Sequence, residues 1–140
     1  MGFVINASNF LDENQAGLSK PFIYCCPYRD LEQKAIPINI VLAEKLTKLR
    51  PNRRTMQLEK CFNQVILDFP ENVVIKEFDV MFNPDYKVDI LTLLIAAYKK
   101  RPFSIIWPGK YTEGKLIDAE EGCPDYKAYN INDYDVTCIV

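Results

Sequence analysis

VVIKEFDVMF, residues 73–82, is the stretch that decides how this chain folds. Its first three residues, Val73–Ile75, are apolar and β-branched, which is typical of a strand covered on both faces of a parallel sheet. The apolar run then breaks at Lys76, Glu77 and Asp79. In nucleotide hydrolases, an acid at the end of such a strand commonly holds magnesium. The stretch therefore predicts a buried strand, and Lys76, Glu77 and Asp79 form a candidate degenerate nucleotide site at its end.

Apolar runs on both sides of this stretch predict further short strands. Residues 22–26 (FIYCC) and 36–40 (IPINI) lie upstream, and residues 103–107 (FSIIW) lie downstream. Three more strand candidates follow between turns that contain glycine or proline, at 115–119, 126–131 and 136–140. These runs predict a sheet followed by a short β-rich C-terminal part.

Helical spacing of apolar residues separates these strands. The clearest amphipathic helix spans residues 56–69, with Thr55 as its candidate N-cap. Its apolar face consists of Leu58, Cys61, Phe62, Val65, Ile66 and Phe69. A second helix over residues 41–49 should end before Pro51, because the residue preceding a proline is disfavoured in helical geometry.

The segment 83–101 predicts a third helix. Asn83 is a plausible N-cap and Pro84 suits the first helical position. Lys99, Lys100 and Arg101 follow at the other end, where cations stabilise the helix dipole.

Strands that alternate with helices predict an α/β fold. We expect a P-loop NTPase-like sheet flanked by helices in three layers, with the β-rich part at its C-terminal end. A length of 140 residues suits one domain, residues 1–140, in which residues 1–20 are expected to be a loosely ordered N-terminal segment.

The composition is that of a globular protein, with 49% apolar and 26% charged residues. A net charge of −2 is unlike that of a general nucleic-acid binder. The sequence has neither an apolar run long enough to span a membrane nor a secretory signal pattern, so we expect a cytoplasmic protein with reduced cysteines.

The chain contains no histidine, which excludes Ser-His and Cys-His nucleophile pairs and histidine-ligated metals. A P-loop requires glycines whose backbone N–H groups wrap the phosphates. No glycine lies between Phe22 and Ile40, where such a loop would follow a first strand, and Lys76 stands where the magnesium acid is expected. Asp85 and Lys87 are residue types that occur in the metal sites of nucleases. Asp85 is better explained as an acid in the first turn of a helix, where it stabilises the helix dipole. We therefore expect no catalytic residues, no cofactor and no metal.

Two kinds of surface residue could contact a partner. The basic residues form a candidate patch for phosphates; they are Lys48, Arg50, Arg53, Arg54, Lys99, Lys100 and Arg101. The aromatic residues Trp107, Tyr111 and Tyr126 form a candidate partner-contact turn, since aromatic side chains are enriched in protein interfaces.

The second half of the chain resembles the BrxF family of small P-loop proteins from BREX type 3 phage-defence systems. The first matching motif, LF-x-P-x-x-K-x-D-x-L-x-L-L, corresponds here to Phe82, Pro84, Lys87, Asp89, Leu91, Leu93 and Leu94. The second, a Trp-x-Gly turn followed by G-x-L-x-Y-A-E-x-G-x-P-x-Y, corresponds to Trp107, Gly109, Gly114, Leu116, Ala119, Glu120, Gly122, Pro124 and Tyr126. Residues 36–46 (IPINIVLAEKL) also resemble the family's strand and helix after the P-loop, so the resemblance covers about residues 36–130.

The resemblance implies a P-loop-like fold and a setting in bacterial phage defence. The family's glycine-rich phosphate loop has no counterpart here, and its strand-end acid falls on Lys76, while Asp79 matches a family acid three positions later. We therefore expect a non-catalytic, cytoplasmic subunit that binds other defence proteins, such as the larger ATPase, methyltransferase or alkaline-phosphatase-like components, and no membrane. Two alternatives remain open: a divergent ATP-binding or ATPase subunit completed by a partner, and a DNA-contacting accessory protein.

Overall fold

The computed structural model describes residues 2–6, 21–25, 29–83, 86, 88–118 and 126–140. The strands, in chain order, are β1 (Phe3–Ile5), β2 (Phe22–Tyr24), β3 (Ile36–Pro37), β4 (Val73–Lys76), β5 (Phe103–Ile106), β6 (Lys110–Thr112), β7 (Lys115–Asp118), β8 (Lys127–Asn130) and β9 (Thr137–Ile139). The helices are α1 (Arg29–Lys34), α2 (Asn39–Thr47), α3 (Pro51–Leu67) and α4 (Ile90–Lys100), with short 3₁₀ helices at Asp79–Phe82 and Ile131–Asp133.

A parallel sheet forms the centre of the fold. Within the described ranges it has six strands in the order β1-β9-β2-β5-β4-β3, and every neighbouring pair is parallel. The strands β6, β7 and β8 form a separate antiparallel sheet. The prediction of an α/β fold with a P-loop NTPase-like sheet flanked by helices and a β-rich C-terminal part is confirmed.

Strand β9 corrects one detail of that prediction. Residues 136–140 were expected to belong to the β-rich end, but β9 lies inside the main sheet between β1 and β2. Val136, Cys138 and Ile139 are each fully buried. A continuous apolar run of this kind is typical of a central parallel strand, and it explains the position of β9.

The N-terminal residues also differ from expectation. Residues 3–5 form an ordered edge strand, β1, although the whole of 1–20 was expected to be loosely ordered. Residues 7–20 lie outside the described part of the chain.

The helices begin at positions other than those predicted. Helix α3 starts at Pro51, not after Thr55, because Arg50 is extended (ψ 142°) and proline suits the first helical position. Helix α4 starts at Ile90 and is capped by Asp89, not by Asn83, since the Asp89 side chain accepts a hydrogen bond from the Thr92 N–H at 3.1 Å.

Helix α2 begins earlier than the sequence pattern indicated. Residues 36–40 were expected to be extended, but only Ile36 and Pro37 form a strand. Ile38, Leu42 and Leu46 are all buried. Their spacing of four residues shows that the helical apolar face already starts at Ile38.

An aromatic cluster joins the main sheet to the smaller one. Trp107, at the end of β5, packs edge-to-face against Phe78, Phe82 and Tyr129, with ring centroids 5.5–6.2 Å apart. Tyr129 belongs to β8, so the antiparallel sheet is anchored to the main core through these rings.

Candidate functional site

The carboxyl ends of the central strands define the candidate site. Strands β5, β4 and β3 lie on one side of β2, whereas β9 and β1 lie on the other. Along the chain, β2 is followed by β3 on one side, whereas β5 is followed in this sheet by β9 on the other side, so the direction of the connections reverses between the neighbouring strands β2 and β5. In open α/β sheets, ligands bind outside the carboxyl ends of the strands at such a reversal.

The described residues next to this reversal have uncharged side chains. Cys25 follows β2, Trp107 follows β5 and Val140 follows β9. The Trp107 N–H donates to the Tyr24 carbonyl at 3.0 Å, and the Cys25 N–H donates to the Ile139 carbonyl at 2.8 Å. These contacts hold the three strand ends together. Residues 26–28, where a phosphate loop would begin, lie outside the described residues, and α1 is a helix of six residues.

Lys76 lies at the end of β4, as predicted, and is ion-paired. Its Nζ is 3.2 Å from Glu32 Oε1 and also donates to the Glu32 backbone carbonyl at 3.4 Å. Glu32 belongs to α1, the helix that follows β2. The Lys76 side chain is 21% exposed and that of Glu32 is 53% exposed. A cation at this position opposes a magnesium ion, and its charge is already balanced by a carboxylate.

Asp79 is held by Asn39 at the start of α2. The Asn39 amide donates from Nδ2 to Asp79 Oδ1 at 3.2 Å, while Asn39 Oδ1 accepts from the Val80 N–H at 2.9 Å. Asn39 therefore fastens the beginning of α2 to the 3₁₀ helix after β4. The sequence analysis did not identify Asn39, because the contact spans about forty residues along the chain and leaves no local pattern.

Glu77 is exposed and has a positive φ of 50°, which is uncommon for a residue other than glycine. Together with Pro37, Asn39 and Ile40 it lines a shallow pocket of about 300 Å³. Ile40 is 76% exposed there. The three predicted strand-end residues thus lie near one another, but Lys76 and Asp79 are engaged by Glu32 and Asn39.

Metal ligation finds no support in the described ranges. No group of three or more histidine, cysteine, aspartate or glutamate side chains in them is arranged to hold an ion. Asp85 and Lys87 lie outside the described residues. Cys61 and Cys138 are buried, and burial raises the pKa of the Cys61 thiol, which disfavours the reactive thiolate.

The predicted basic patch is divided between the two ends of α3. Arg53 and Arg54 lie in its first turn, whereas Arg101 donates from Nη2 to the carbonyl of Phe69, just beyond its C-terminus, at 2.9 Å. Because an α-helix rises 1.5 Å per residue, Arg53 lies about 20 Å from the C-terminus of α3.

Arg54 and Arg101 use their guanidinium groups inside the fold. Arg54 Nε donates to the carbonyls of Leu46 at 3.0 Å and Leu49 at 3.3 Å, where α2 ends. The other predicted basic residues are exposed; they are Lys48, Arg50, Arg53, Lys99 and Lys100.

The predicted aromatic turn is largely structural. Trp107 is only 4% exposed, and its Nε1 donates to the Ile117 carbonyl at 3.0 Å. A Cβ at Gly109 would overlap the same carbonyl oxygen, so a glycine is required two residues after the tryptophan. Tyr111 and Tyr126 are half-buried and remain candidates for partner contact.

A tyrosine network, not foreseen from the sequence, joins α4 to the C-terminal part. The Tyr134 hydroxyl donates to Asp89 Oδ2 at 2.6 Å. Burial raises the pKa of Tyr134, and its hydrogen bond to the Asp89 carboxylate raises that pKa further. Burial also raises the pKa of Tyr129 to about 12, because the phenolate would be desolvated in the core.

Many of the residues on which the resemblance to the BrxF family was based have structural roles in this chain. Six of them are buried: Phe82, Leu91, Leu93, Leu94, Trp107 and Leu116. Asp89 caps α4, and Gly114 adopts a positive φ of 78° in a turn. Pro84, Lys87, Ala119, Glu120, Gly122 and Pro124 lie outside the described residues. The motif residues that the structure describes therefore account for packing and turns.

Comparison with protein-family models, with curated proteins and with solved structures found no match for this chain. Among the helices of the described part, none is long and apolar enough to cross a membrane.

Proposed function

We propose that this chain is a non-catalytic subunit of a bacterial BREX-type phage-defence system. It is a P-loop-like module that binds protein partners in the cytoplasm. The phage-defence setting rests on the motif resemblance described above.

The ion pair between Lys76 and Glu32 is the observation that carries the non-catalytic part of the proposal. An ammonium group stands at the strand end where a nucleotide hydrolase places a magnesium-binding acid. Its partner Glu32 comes from the helix after β2, so the pair closes this edge by linking α1 to β4. Asp79, the acid three positions after Lys76, accepts a hydrogen bond from Asn39.

A module without catalytic residues acts through contacts with other proteins. Tyr111 and Tyr126 are half-buried aromatic residues, and Ile40 projects from the pocket beside Glu77. Partly exposed aromatic and aliphatic side chains next to polar groups are typical of interface residues.

Co-purification from cells that restrict phage tests the partner contact. We expect the tagged chain to recover other components of the defence system. The recovery of no component by a folded, expressed chain would contradict this part of the proposal.

Complementation of a deletion strain tests the non-catalytic part. The double variant Glu77→Gln with Asp79→Asn keeps the side-chain volumes, and the amide that replaces the Asp79 carboxylate still has an oxygen to accept from Asn39. We expect it to restore phage restriction as well as the wild-type chain does. Loss of restriction by the folded double variant would show that these carboxylates perform chemistry.

A nucleotide-binding subunit completed by a partner is the second candidate function. The strand order favours it, because the connections from β2 and β5 leave in opposite directions, and α/β proteins bind ligands at such a position. In that case the complex with the partner would bind ATP, and the isolated chain would not.

A further inference from the structure

The two edge strands of the main sheet differ in whether their outward-facing backbone groups are protected. The proposed function does not depend on this difference. Strand β3 ends the described sheet on one side and β1 ends it on the other. A free strand edge presents unpaired backbone N–H and C=O groups, so natural proteins usually protect it with proline, charged side chains or bulges.

The β3 edge is protected by a proline. The N–H of Ile38 donates to the Lys76 carbonyl at 3.1 Å, so the backbone of Ile38 faces β4. Because successive residues of a strand direct their backbone groups to opposite sides, Pro37 occupies the position that faces outward. Proline has no N–H, and it removes the donor that another strand would need.

Among the residues that the structure describes, the β1 edge carries no such protection. The Phe3 N–H donates to the Val136 carbonyl, and the Ile5 carbonyl accepts from the Val140 N–H, both at 2.9 Å. Phe3 and Ile5 therefore face β9, and the N–H and C=O of Val4 point away from the sheet. The residues around Val4, GFVIN, include neither proline nor a charged side chain.

The side chains at this edge are apolar and exposed. Phe3 is 43% exposed and Val4 is 45% exposed. The backbone at Gly2 also packs closely against Ile131, since a Cβ at Gly2 would overlap the carbonyl oxygen of Ile131. An apolar strand edge whose donor and acceptor point outward is complementary to another extended strand.

We infer that β1 pairs with β1 of a second copy of this chain, in antiparallel orientation about a two-fold axis at Val4. In that register, Phe3 of one copy lies opposite Ile5 of the other, and the two Val4 residues face each other. Every cross-strand pair of β1 is then apolar, and both Val4 residues present the same donor and acceptor. A net charge of −2 gives little repulsion between copies.

The β1 pairing is weak because few residues take part in it. Strand β1 has three residues, so the pairing is small compared with the interfaces of permanent dimers. The dimer therefore forms reversibly as the protein concentration rises. This inference is independent of the proposed function.

Sedimentation velocity over a wide concentration range, with two variants of Val4, tests the pairing. Val4→Pro removes the outward N–H without removing a bond to β9, as Pro37 does at the opposite edge, whereas Val4→Thr keeps that N–H. We expect wild type and Val4→Thr to dimerise with rising concentration and Val4→Pro to remain monomeric with an unchanged circular dichroism spectrum. A wild type that stays monomeric, or a folded Val4→Pro that dimerises like wild type, would overturn the inference.

Amide hydrogen exchange of the wild-type chain tests the same contact without a variant. Exchange of the Val4 N–H should slow as the concentration rises, whereas the Ile5 N–H, which faces β9, should show the same protection throughout. If dimerisation leaves Val4 exchange unchanged, another surface forms the contact and the inference is wrong. Protection of Val4 only on addition of a different protein would also contradict pairing with a second copy.

Discussion

At the scale of single residues, Lys76 and Asn39 determine the character of the strand-end region. Lys76 pairs with Glu32, and Asn39 holds both Asp79 and the Val80 backbone. Each contact joins residues about forty positions apart in the chain. Both therefore fasten a helix to the end of β4.

Replacement of Lys76 by aspartate should not create a hydrolase. Lys76→Asp restores an acid at the end of β4 but places it beside Glu32, so the free energy of unfolding should fall by about 1 kcal/mol. Without a glycine loop to hold phosphates, ATP turnover should stay at background in a phosphate-release assay, as in the control Lys76→Met. Turnover that depends on the new aspartate would show that another segment supplies phosphate binding.

Asn39 should contribute more to stability than its half-buried position suggests. Asn39→Ala leaves the Val80 N–H without its side-chain acceptor, so the free energy of unfolding should fall by about 1–2 kcal/mol. Thr47→Ala, on the same helix, removes one exposed hydrogen bond to the Glu44 carbonyl and should change it by less than about 0.5 kcal/mol. Urea denaturation measures both changes. Equal effects would contradict the role assigned to Asn39.

At the scale of elements, periodicity in the sequence predicted most strands and the three helices α2, α3 and α4. The apolar face of α3 and the runs of β4 and β5 are local signals, and they identified those elements correctly. Helix ends were less predictable, because the caps depend on tertiary contacts: Asp89 caps α4 while it also accepts a hydrogen bond from Tyr134. The sheet position of β9 likewise depends on pairing with distant strands.

Prediction of the candidate site was limited in the same way, because local sequence does not show tertiary contacts. The positions of Lys76, Glu77 and Asp79 after a strand followed from their sequence neighbours. Their partners Glu32 and Asn39 could not be found in this way, since hydrogen-bonding side chains occur throughout the chain. Trp107 was expected to be exposed before a turn, whereas the fold covers it with the second sheet.

Adjacent arginines at the start of α3 should differ in their contribution to stability. Arg54→Ala removes hydrogen bonds to two carbonyls at the end of α2 and should lower the free energy of unfolding by about 1–2 kcal/mol. Arg53→Ala, at an exposed neighbouring position, should change it by less than about 0.5 kcal/mol. Chemical denaturation of the two variants compares them. Tests of DNA contact should therefore use Arg53 and Lys99, since a loss of binding in an Arg54 variant could reflect weakened packing of α2.

Tyr129, in β8, should make the free energy of unfolding decrease at high pH. The pKa of Tyr129 is raised to about 12 in the folded chain, so the folded state retains a proton that the unfolded state loses above about pH 10. The stabilisation from Tyr129 is complete below pH 10 and is lost as the pH rises through 12. At pH 11 the stability lost is about 1 kcal/mol.

Urea denaturation at several pH values between 8 and 11 measures this dependence. Tyr129→Phe should show a shallower decrease than wild type. The difference between the two curves reports Tyr129 together with its influence on the neighbouring Tyr134, whereas Cys61, whose pKa is also raised, titrates in both proteins. Identical slopes would show that Tyr129 does not contribute to the pH dependence.

At the scale of the whole molecule, the fold provides a ligand position whose described residues are not suited to a nucleotide. The connections from β2 and β5 leave in opposite directions, and α/β sheets bind ligands outside the strand ends at such a position. Around it, the described strand ends are apolar at Cys25, Trp107 and Val140, and the charged end at Lys76 is paired with Glu32. A parallel α/β sheet is thus combined with strand ends that are apolar or already ion-paired.

Isothermal titration calorimetry of the isolated chain with ATP and Mg²⁺ tests this central claim most directly. The account predicts no saturable heat of binding for wild type and none for the Lys76→Asp variant. Saturable binding with a micromolar dissociation constant, by wild type alone, would contradict it and would make the chain a nucleotide-binding protein in its own right.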